Sequence, residues 1–494
     1  MKCFRFYLVM SVVLVFAACS NKEEDIMYPS AWDDDKRFSL LSIEEVISLF
    51  PDSLLAGTCA LSDEEVLQQV RIFSENDIRG RTYVPNRMNI VHNYKVACNQ
   101  LPVSKILSSQ DFVEFSIVEL DFNNASGFAV VCRDSRYPEI LAYVPTLNFQ
   151  SYQSCTPMQM MVGRAQDIAV QYIERYNTAL AKITDDTRKQ ALSKVCKELN
   201  VSEEEFDFER FRYNIFIRDY DSEDFIESRG SVQNPTGTVL SSVGPLCGTT
   251  RLIQGWPCNQ FMETTTLEQF SSMQHNGHFP AGCVNVALAT MCSYFRSTIY
   301  CSYLGRFIDW NNVIDAHFNP YSFFPAQYDE NTAQAVEVGY LLKTISEQTK
   351  TVFNENGGGT NIANAVSFMK SIGIDMSTST TTLNYNNVRS SLGNLWLVYC
   401  LGTVTNNAKS DGTGSGHAWV IDGMQVRRSQ ARYELQNYNC YANCKFGWIE
   451  NDYSDENYDG LYFFDAKGAI DFNFADGNNL TANLSCIPNI RKAN

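Results

Sequence analysis

Apolar and polar positions along the first 230 residues follow two periods, one typical of strands and one typical of helices. Residues 112–122 alternate apolar and polar side chains, which predicts a strand with one buried face. Two segments begin with Ser-x-x-Glu and then become apolar, which is the spacing of a capping box at the start of a helix. The pattern predicts helices after Ser42 and Ser62 and over 158–176 and 187–199, and strands over 112–122, 127–132 and 140–143.

In the second half, two apolar runs each follow a residue that can do chemistry. Cys283 comes after Ala281-Gly282 and before 284–291, a run of mostly small, apolar residues with helical spacing. His417 comes after a glycine-rich stretch and before 418–421, whose apolar residues end at a glycine and predict a short buried strand. Helices and strands therefore alternate irregularly along the chain, which is typical of the α+β class.

Charged side chains divide the chain near residue 231. The 494 residues carry 39 basic and 56 acidic side chains, a net charge of −17, and 59 of the charged residues precede residue 231 while 36 follow it. Residues 231–246 lack periodicity and are rich in turn-forming residues, which predicts a linker between domains at 41–230 and 247–494. The acidic balance without a basic stripe argues against a nucleic-acid partner. No apolar run reaches the roughly 18 residues of a membrane-spanning helix.

The amino terminus has the pattern of an export signal. Lys2 and Arg5 precede an apolar run that ends in Ala17-Ala18-Cys19, which resembles the lipobox of bacterial lipoproteins. We therefore expect a signal peptide over 1–18, acylation of Cys19, and a polar tether over 19–40. The protein would then be an exported lipoprotein of the outer membrane, the cell surface or the periplasm. The alternative is an ordinary secretory signal that happens to contain a cysteine.

Sixteen cysteines stand against only five histidines. There is no Cys-x-x-Cys pair, and no histidine lies near Cys440 and Cys444, so we expect neither a zinc site nor any other metal or cofactor. If Cys3 leaves with the signal, Cys19 carries lipid and Cys283 is a free nucleophile, 13 cysteines remain. Because that number is odd, complete internal disulfide pairing is impossible, and most of these residues are expected to be small buried side chains.

Cys283 and His417 are the candidates for nucleophilic catalysis. A cysteine at a helix N-terminus meets the helix dipole and free N–H groups, which favour the thiolate and are expected to lower its pKa. A histidine at the start of a buried strand can accept the thiol proton and return it to the leaving amine. The two lie 134 residues apart, in the chain order of papain-like proteases. Gln254, in a Gly/Pro turn, can donate a hydrogen bond to an oxyanion beside the Cys283 N–H.

These residues together resemble the streptopain family of bacterial cysteine peptidases. The resemblance covers roughly residues 40 to 470 and rests on Gln254-Gly255-x-Pro257-x-Asn259, Ala281-Gly282-Cys283, Gly416-His417-Ala418-x-Val420-x-Asp422-Gly423 and Phe446-Gly447-Trp448 followed by 459–463. It implies a papain-like catalytic domain, helical on its left side and antiparallel sheet on its right. It also implies a smaller α+β prodomain that inhibits the enzyme until it is removed, and endopeptidase activity on protein or peptide substrates. Gly416, Ser415 and Trp448 are candidates to line the substrate cleft.

The chain departs from the family pattern at Lys445, where an asparagine is expected before the aromatic-Gly-Trp block. An amide there would hold the imidazole in its productive orientation, whereas an ammonium near His417 would oppose imidazolium formation. Asn443 could orient His417 if the register shifts by two residues. The alternative to a peptidase is therefore a catalytically inactive relative at the cell surface that binds peptides or partner proteins.

Overall fold

The computed structural model describes sixteen segments of the chain. These are residues 39–50, 60–76, 84–97, 112–122, 125–145, 156–211, 215–217, 237–248, 250–271, 275–314, 332–355, 357–404, 416–428, 438–447, 459–467 and 482–493. The predicted signal peptide, Cys19 and most of the tether lie outside the described residues. Within these segments no helix has both the length and the apolar character needed to cross a bilayer.

The described helices are α1 (Ile43–Ser48), α2 (Asp63–Glu75), α3 (Thr156–Leu180), α4 (Asp185–Leu199), α5 (Phe208–Phe211), α6 (Cys283–Phe295), α7 (Trp310–Ile314), α8 (Ala333–Gln348), α9 (Ile362–Ser371) and α10 (Tyr385–Gly393). A single 3₁₀ turn is described at Glu268–Phe270.

The described strands are β1 (Ser39–Leu41), β2 (Arg87–Ala97), β3 (Phe112–Phe122), β4 (Ala125–Cys132), β5 (Ile140–Val144), β6 (Ile215–Ile217), β7 (Val239–Val243), β8 (Tyr300–Cys301), β9 (Arg306–Phe307), β10 (Val352–Asn354), β11 (Gly357–Gly359), β12 (Ile374–Asp375), β13 (Thr381–Thr382), β14 (Leu397–Val404), β15 (Gly416–Arg428), β16 (Tyr438–Lys445), β17 (Gly460–Lys467) and β18 (Ala482–Lys492).

Local chemistry forms the helices and strands that the pattern predicts. The hydroxyls of Ser42 and Ser62 accept from the backbone N–H three residues on, and Glu45 and Glu65 return a bond to each cap, so both predicted capping boxes are confirmed. The predicted strand at 112–122 is β3, with the same bounds. β5 is buried at all five positions because helices cover both faces of the sheet there, which explains its continuous apolar run.

One large sheet contains strands from both halves of the chain. Its strand order is β12-β18-β14-β15-β16-β17-β5-β4-β3-β2, with β13 paired to β18 and β7 paired to β15. The two halves meet where β5 pairs antiparallel with β17, through Tyr143 opposite Leu461 and Ala142 opposite Tyr462. One hydrophobic core contains residues of both halves, including Met160 of α3 and Trp419 of β15.

The second half has a separate core around α6. It joins Val286 and Leu288 of that helix to Leu341 of α8 and to Ala418 and Val420 of β15. Helices on one side and an antiparallel sheet on the other give the α+β, papain-like architecture that the resemblance implied. α6 packs against β15, which places the start of the helix beside the start of the strand.

The predicted linker, 231–246, is only partly a connection. Residues 239–243 form β7, which pairs with β15 from Val243 opposite Met424 to Val239 opposite Arg427. Polar residues such as Ser241 and Ser242 obscured the strand because β7 lies at the sheet margin and is only half-buried. The structure therefore attaches the second part of the predicted linker to the second half of the chain.

Candidate active site

Cys283 is the first residue of α6, as the sequence predicts, and the preceding glycine is required there. Gly282 caps the helix with φ of +89°, a conformation that L side chains rarely adopt. A Cβ at this position would lie 2.9 Å from the Gly358 carbonyl oxygen. The close approach of β11 thus holds the turn that presents Cys283.

The thiol of Cys283 lies close enough to β15 for the Ala418 backbone N–H to affect its pKa. Burial raises the pKa of this thiol, and the N–H groups of Ala418, Val284 and Cys283 itself lower it by less. The expectation of a lowered pKa is therefore wrong for this structure, where Cys283 is a neutral thiol at neutral pH.

His417 is the second residue of β15 and is 6% exposed. Its ring stacks against Trp419, and its Nε2 lies 3.2 Å from the carbonyl oxygen of Phe446. A carbonyl oxygen can only accept, so Nε2 carries the hydrogen and the lone pair of the neutral ring is on Nδ1. Burial lowers the pKa of His417 to about 4, against the opposing effect of the Phe446 carbonyl. The imidazole is therefore neutral, with Nδ1 as its basic atom.

The backbone of Gln254 joins the cysteine segment to the segment that holds His417. Its N–H donates to the Gly447 carbonyl at 3.2 Å, and its carbonyl accepts from the Ala281 N–H at 2.8 Å. Asn259 supports the same loop, since its Nδ2 donates to the carbonyls of His275 and Phe279 at 3.0 and 3.2 Å. The structure thus brings Gln254 next to the segments that carry Cys283 and Phe446.

Asn443 does not contact the imidazole in the way the sequence suggested. Its Nδ2 donates to Oδ1 of the buried Asp422 at 2.6 Å, and in the sheet it stands opposite Gly423. The group that accepts the hydrogen bond from His417 Nε2 is instead the Phe446 backbone carbonyl. The β15–β16 pairing has an irregularity between Ile421 and Gly423, but it does not bring Asn443 to His417, since Asn443 stays opposite Gly423.

Lys445 is directed away from His417. Its Nζ lies 3.1 Å from Oδ2 of Asp459 and donates to the Gly248 carbonyl at 3.3 Å. The expected opposition between this ammonium and an imidazolium is thus compensated by a carboxylate. Sequence reasoning included Asp459 in a motif without giving it a role, and no sequence signal marks the Phe446 carbonyl.

Of the predicted cleft residues, Gly416 lies exposed at the start of β15. Ser415 and Trp448 lie outside the described residues. In the segments that are described, no group of three or more His, Cys, Asp or Glu side chains could hold a metal ion.

A cysteine at a helix N-terminus, packed beside a strand that begins with a histidine, defines the class of papain-like thiol peptidases. Residues 254–454 match the model of the Peptidase C10 family, and the match includes Gln254, Cys283 and His417. This match covers about two fifths of the chain and supports the streptopain family of cysteine peptidases for that part of the sequence. No curated protein matches the chain at a significant level.

Proposed function

We propose that this chain is the precursor of an active cysteine endopeptidase. The observation that carries the proposal is the hydrogen bond from His417 Nε2 to the Phe446 carbonyl, which leaves Nδ1 as the basic atom, on the strand that packs against the helix of Cys283. Lys445 was the main argument for an inactive relative. Because Lys445 is paired with Asp459, its charge is compensated and counts less against an imidazolium at His417.

In the proposed reaction, Cys283 Sγ attacks the carbonyl carbon of the peptide bond and its proton passes to Nδ1 of His417. The Cys283 N–H and the Gln254 side-chain amide donate to the oxyanion of the tetrahedral intermediate. His417 then protonates the leaving amine, and the acyl group remains on sulfur as a thioester. A water molecule, deprotonated by His417, hydrolyses the thioester and regenerates the thiol.

Residues 41–230 act in this proposal as an inhibitory prodomain. Two contacts support a close association between the halves. β5 extends the catalytic sheet through β17, and Met160 of α3 packs against Gly402, which stands directly opposite His417. We place the activating cut before Gly237, because the chain from Gly237 to Val243 is hydrogen-bonded to β15.

The test uses the purified full chain under reducing conditions and a thiol-directed peptide epoxide. The parent is expected to be labelled at Cys283 and to cleave itself before Gly237, and the Cys283→Ala variant is expected to do neither. Cys292→Ala is the matched control, because Cys292 lies on the same helix but is buried, and burial raises its pKa to about 12. A folded parent with neither labelling nor cleavage would refute the enzyme and favour the inactive relative.

We also propose that the protein is exported and anchored by lipid on Cys19. The support is the amino-terminal sequence alone, a basic start and an apolar run ending in Ala-Ala-Cys. Metabolic labelling with a radioactive fatty acid is expected to mark the parent and not a Cys19→Ala variant. Export of an unlabelled parent would indicate an ordinary secretory signal.

A further inference from the structure

The peptide units around Phe446 connect a partly buried carboxylate to the catalytic imidazole. The Phe446 carbonyl accepts from His417 Nε2, and the Phe446 N–H donates to Asp459 Oδ1, each at 3.2 Å. The other oxygen of the same carboxylate, Oδ2, lies 3.1 Å from Lys445 Nζ. Asp459 therefore holds both Phe446 and the residue before it.

The Asp459 carboxylate holds the backbone of Phe446 where the β16–β17 hydrogen-bond ladder has ended. The β16–β17 pairing ends with Cys444 opposite Gly460, so Phe446 lies beyond the last paired residues of that ladder. A hydrogen bond from a backbone N–H to a carboxylate gains from the charge of its acceptor. Asp459 thus replaces the missing ladder bond with a charge-assisted one.

The charge of Lys445 is a fixed part of this arrangement. Its side chain is 11% exposed and that of Asp459 is 19% exposed, so neither charge is fully solvated. Burial lowers the pKa of the Lys445 ammonium, but Asp459 and Asp422 raise it by more, and Lys445 is a cation at neutral pH. Removing either partner leaves the other as a partly buried charge without its nearest counterion.

We propose that Asp459 and Lys445 are a pair of positioning residues that takes over the task of the absent orienting amide. Asp459 holds the Phe446 peptide so that its carbonyl fixes the imidazole with Nδ1 as the base, and Lys445 compensates the carboxylate charge. Neither residue touches the reacting atoms. This inference rests on the proposed peptidase function. Lys445→Asn should therefore lower the rate, although an ammonium near His417 would by itself oppose imidazolium formation.

The kinetic test compares Asp459→Ala, Asp459→Asn, Lys445→Met and Lys445→Asn with the parent on a peptide substrate. Misplacement of a catalytic group by about 1 Å costs on the order of a hundredfold, so we expect kcat to fall by about tenfold to a hundredfold in Asp459→Ala, with KM changed by less than about twofold. Asp459→Asn keeps an acceptor for the Phe446 N–H and should lose less. The double variant Lys445→Met/Asp459→Asn leaves no unpaired charge and should be more active than Lys445→Met alone.

A second readout does not depend on activity. In a Cys283→Ala background with ¹⁵N-labelled histidine, the ring nitrogen shifts of His417 should report the Nε2–H tautomer. They should report a mixture of tautomers when Asp459→Ala is added. Asp375→Asn is the matched control, since Asp375 forms an exposed ion pair with Arg491 and should change neither kcat nor the tautomer.

The outcomes separate the two proposals. If folded Asp459→Ala and Lys445→Met keep the parental kcat and the parental tautomer, the positioning role is refuted. If the parent itself cleaves no peptide, the proposed function fails, and the tautomer measurement alone then decides whether Asp459 positions His417.

Discussion

Gly447 is the position where a single added carbon should disturb the site most. Its φ is +66°, and a Cβ there would lie 2.4 Å from Cγ1 of Val286 and 3.4 Å from the Leu252 carbonyl oxygen. Val286 lies on α6, three residues after Cys283, and is 1% exposed. A β-branched side chain in a helix has essentially one χ1 rotamer, so Val286 cannot turn away. Either α6 or the 446–447 segment must move.

The expected cost of Gly447→Ala has two parts. A left-handed backbone costs a residue with a Cβ about 1–2 kcal/mol, and overpacking a buried contact costs about 1–3 kcal/mol. We therefore expect the free energy of unfolding to fall by about 2–5 kcal/mol. Because Gly447 also accepts from the Gln254 N–H and follows Phe446, kcat should fall as well.

Urea unfolding of three alanine variants tests this reasoning. Gly373 has φ of +77° and no neighbour within 4 Å of a built Cβ, so Gly373→Ala should cost only the backbone part, about 1–2 kcal/mol. Gly393, the last residue of α10, has neither feature, and Gly393→Ala should be neutral or stabilise by up to about 1 kcal/mol. If Gly447→Ala costs no more than Gly373→Ala, the steric argument is wrong.

Three further predictions concern titration and the contact between the halves. Stability should fall as the pH drops from about 6.5 to 4, because the unfolded chain binds a proton that buried His417, with a pKa of about 4, does not. His417 accounts for up to about 3 kcal/mol of this loss of stability, so His417→Gln should make the urea midpoint depend less on pH. The same pH dependence in the parent and the variant would contradict this prediction. Gly402→Ala puts a Cβ 2.5 Å from the Met160 sulfur and should lower the free energy of unfolding by about 1–3 kcal/mol. The double variant with Met160→Ala should recover part of this loss, and strictly additive effects in urea unfolding would exclude the contact. The Arg427 guanidinium lies 3.7 Å from the centre of the Phe73 ring and donates to the Phe73 carbonyl. Arg427→Lys removes both interactions and should lower the free energy of unfolding in urea by about 1–3 kcal/mol, whereas an unchanged urea midpoint would count against the contact.

The elements that carry Cys283 and His417 could be predicted because their signals are local. Ala281-Gly282-Cys283 before a small apolar run predicts a helix that starts at the cysteine, and α6 starts there. The apolar run after His417 predicts the strand that is β15. Both capping boxes lie within four residues of chain. Short-range patterns of this kind depend on backbone geometry that the side chains themselves determine.

The orientation of His417 could not be predicted because its partner is a backbone carbonyl. Every residue has one, so Phe446 carries no sequence mark of this role. The sequence presents Lys445 as a charge without a counterion, because Asp459 is separated from it by the chain segment that connects β16 to β17. The pairing of β5 with β17 was missed for a similar reason, since two apolar strands from distant parts of the chain show no register in either sequence alone.

The wrong expectation for the Cys283 pKa comes from weighing only one of two effects. A charge at a helix N-terminus gains typically 0.3–1 kcal/mol, which is less than about one pKa unit. Burial can shift a pKa by several units in the opposite direction, and here it exceeds the three backbone N–H groups. The helix dipole is present, but desolvation decides the sign.

The same cause acts on both Cys283 and His417. Burial raises the pKa of the Cys283 thiol and lowers that of the His417 imidazole, so both favour the neutral pair. Solvent entry would move the two pKa values toward each other, because it relieves the desolvation of a thiolate and of an imidazolium at once.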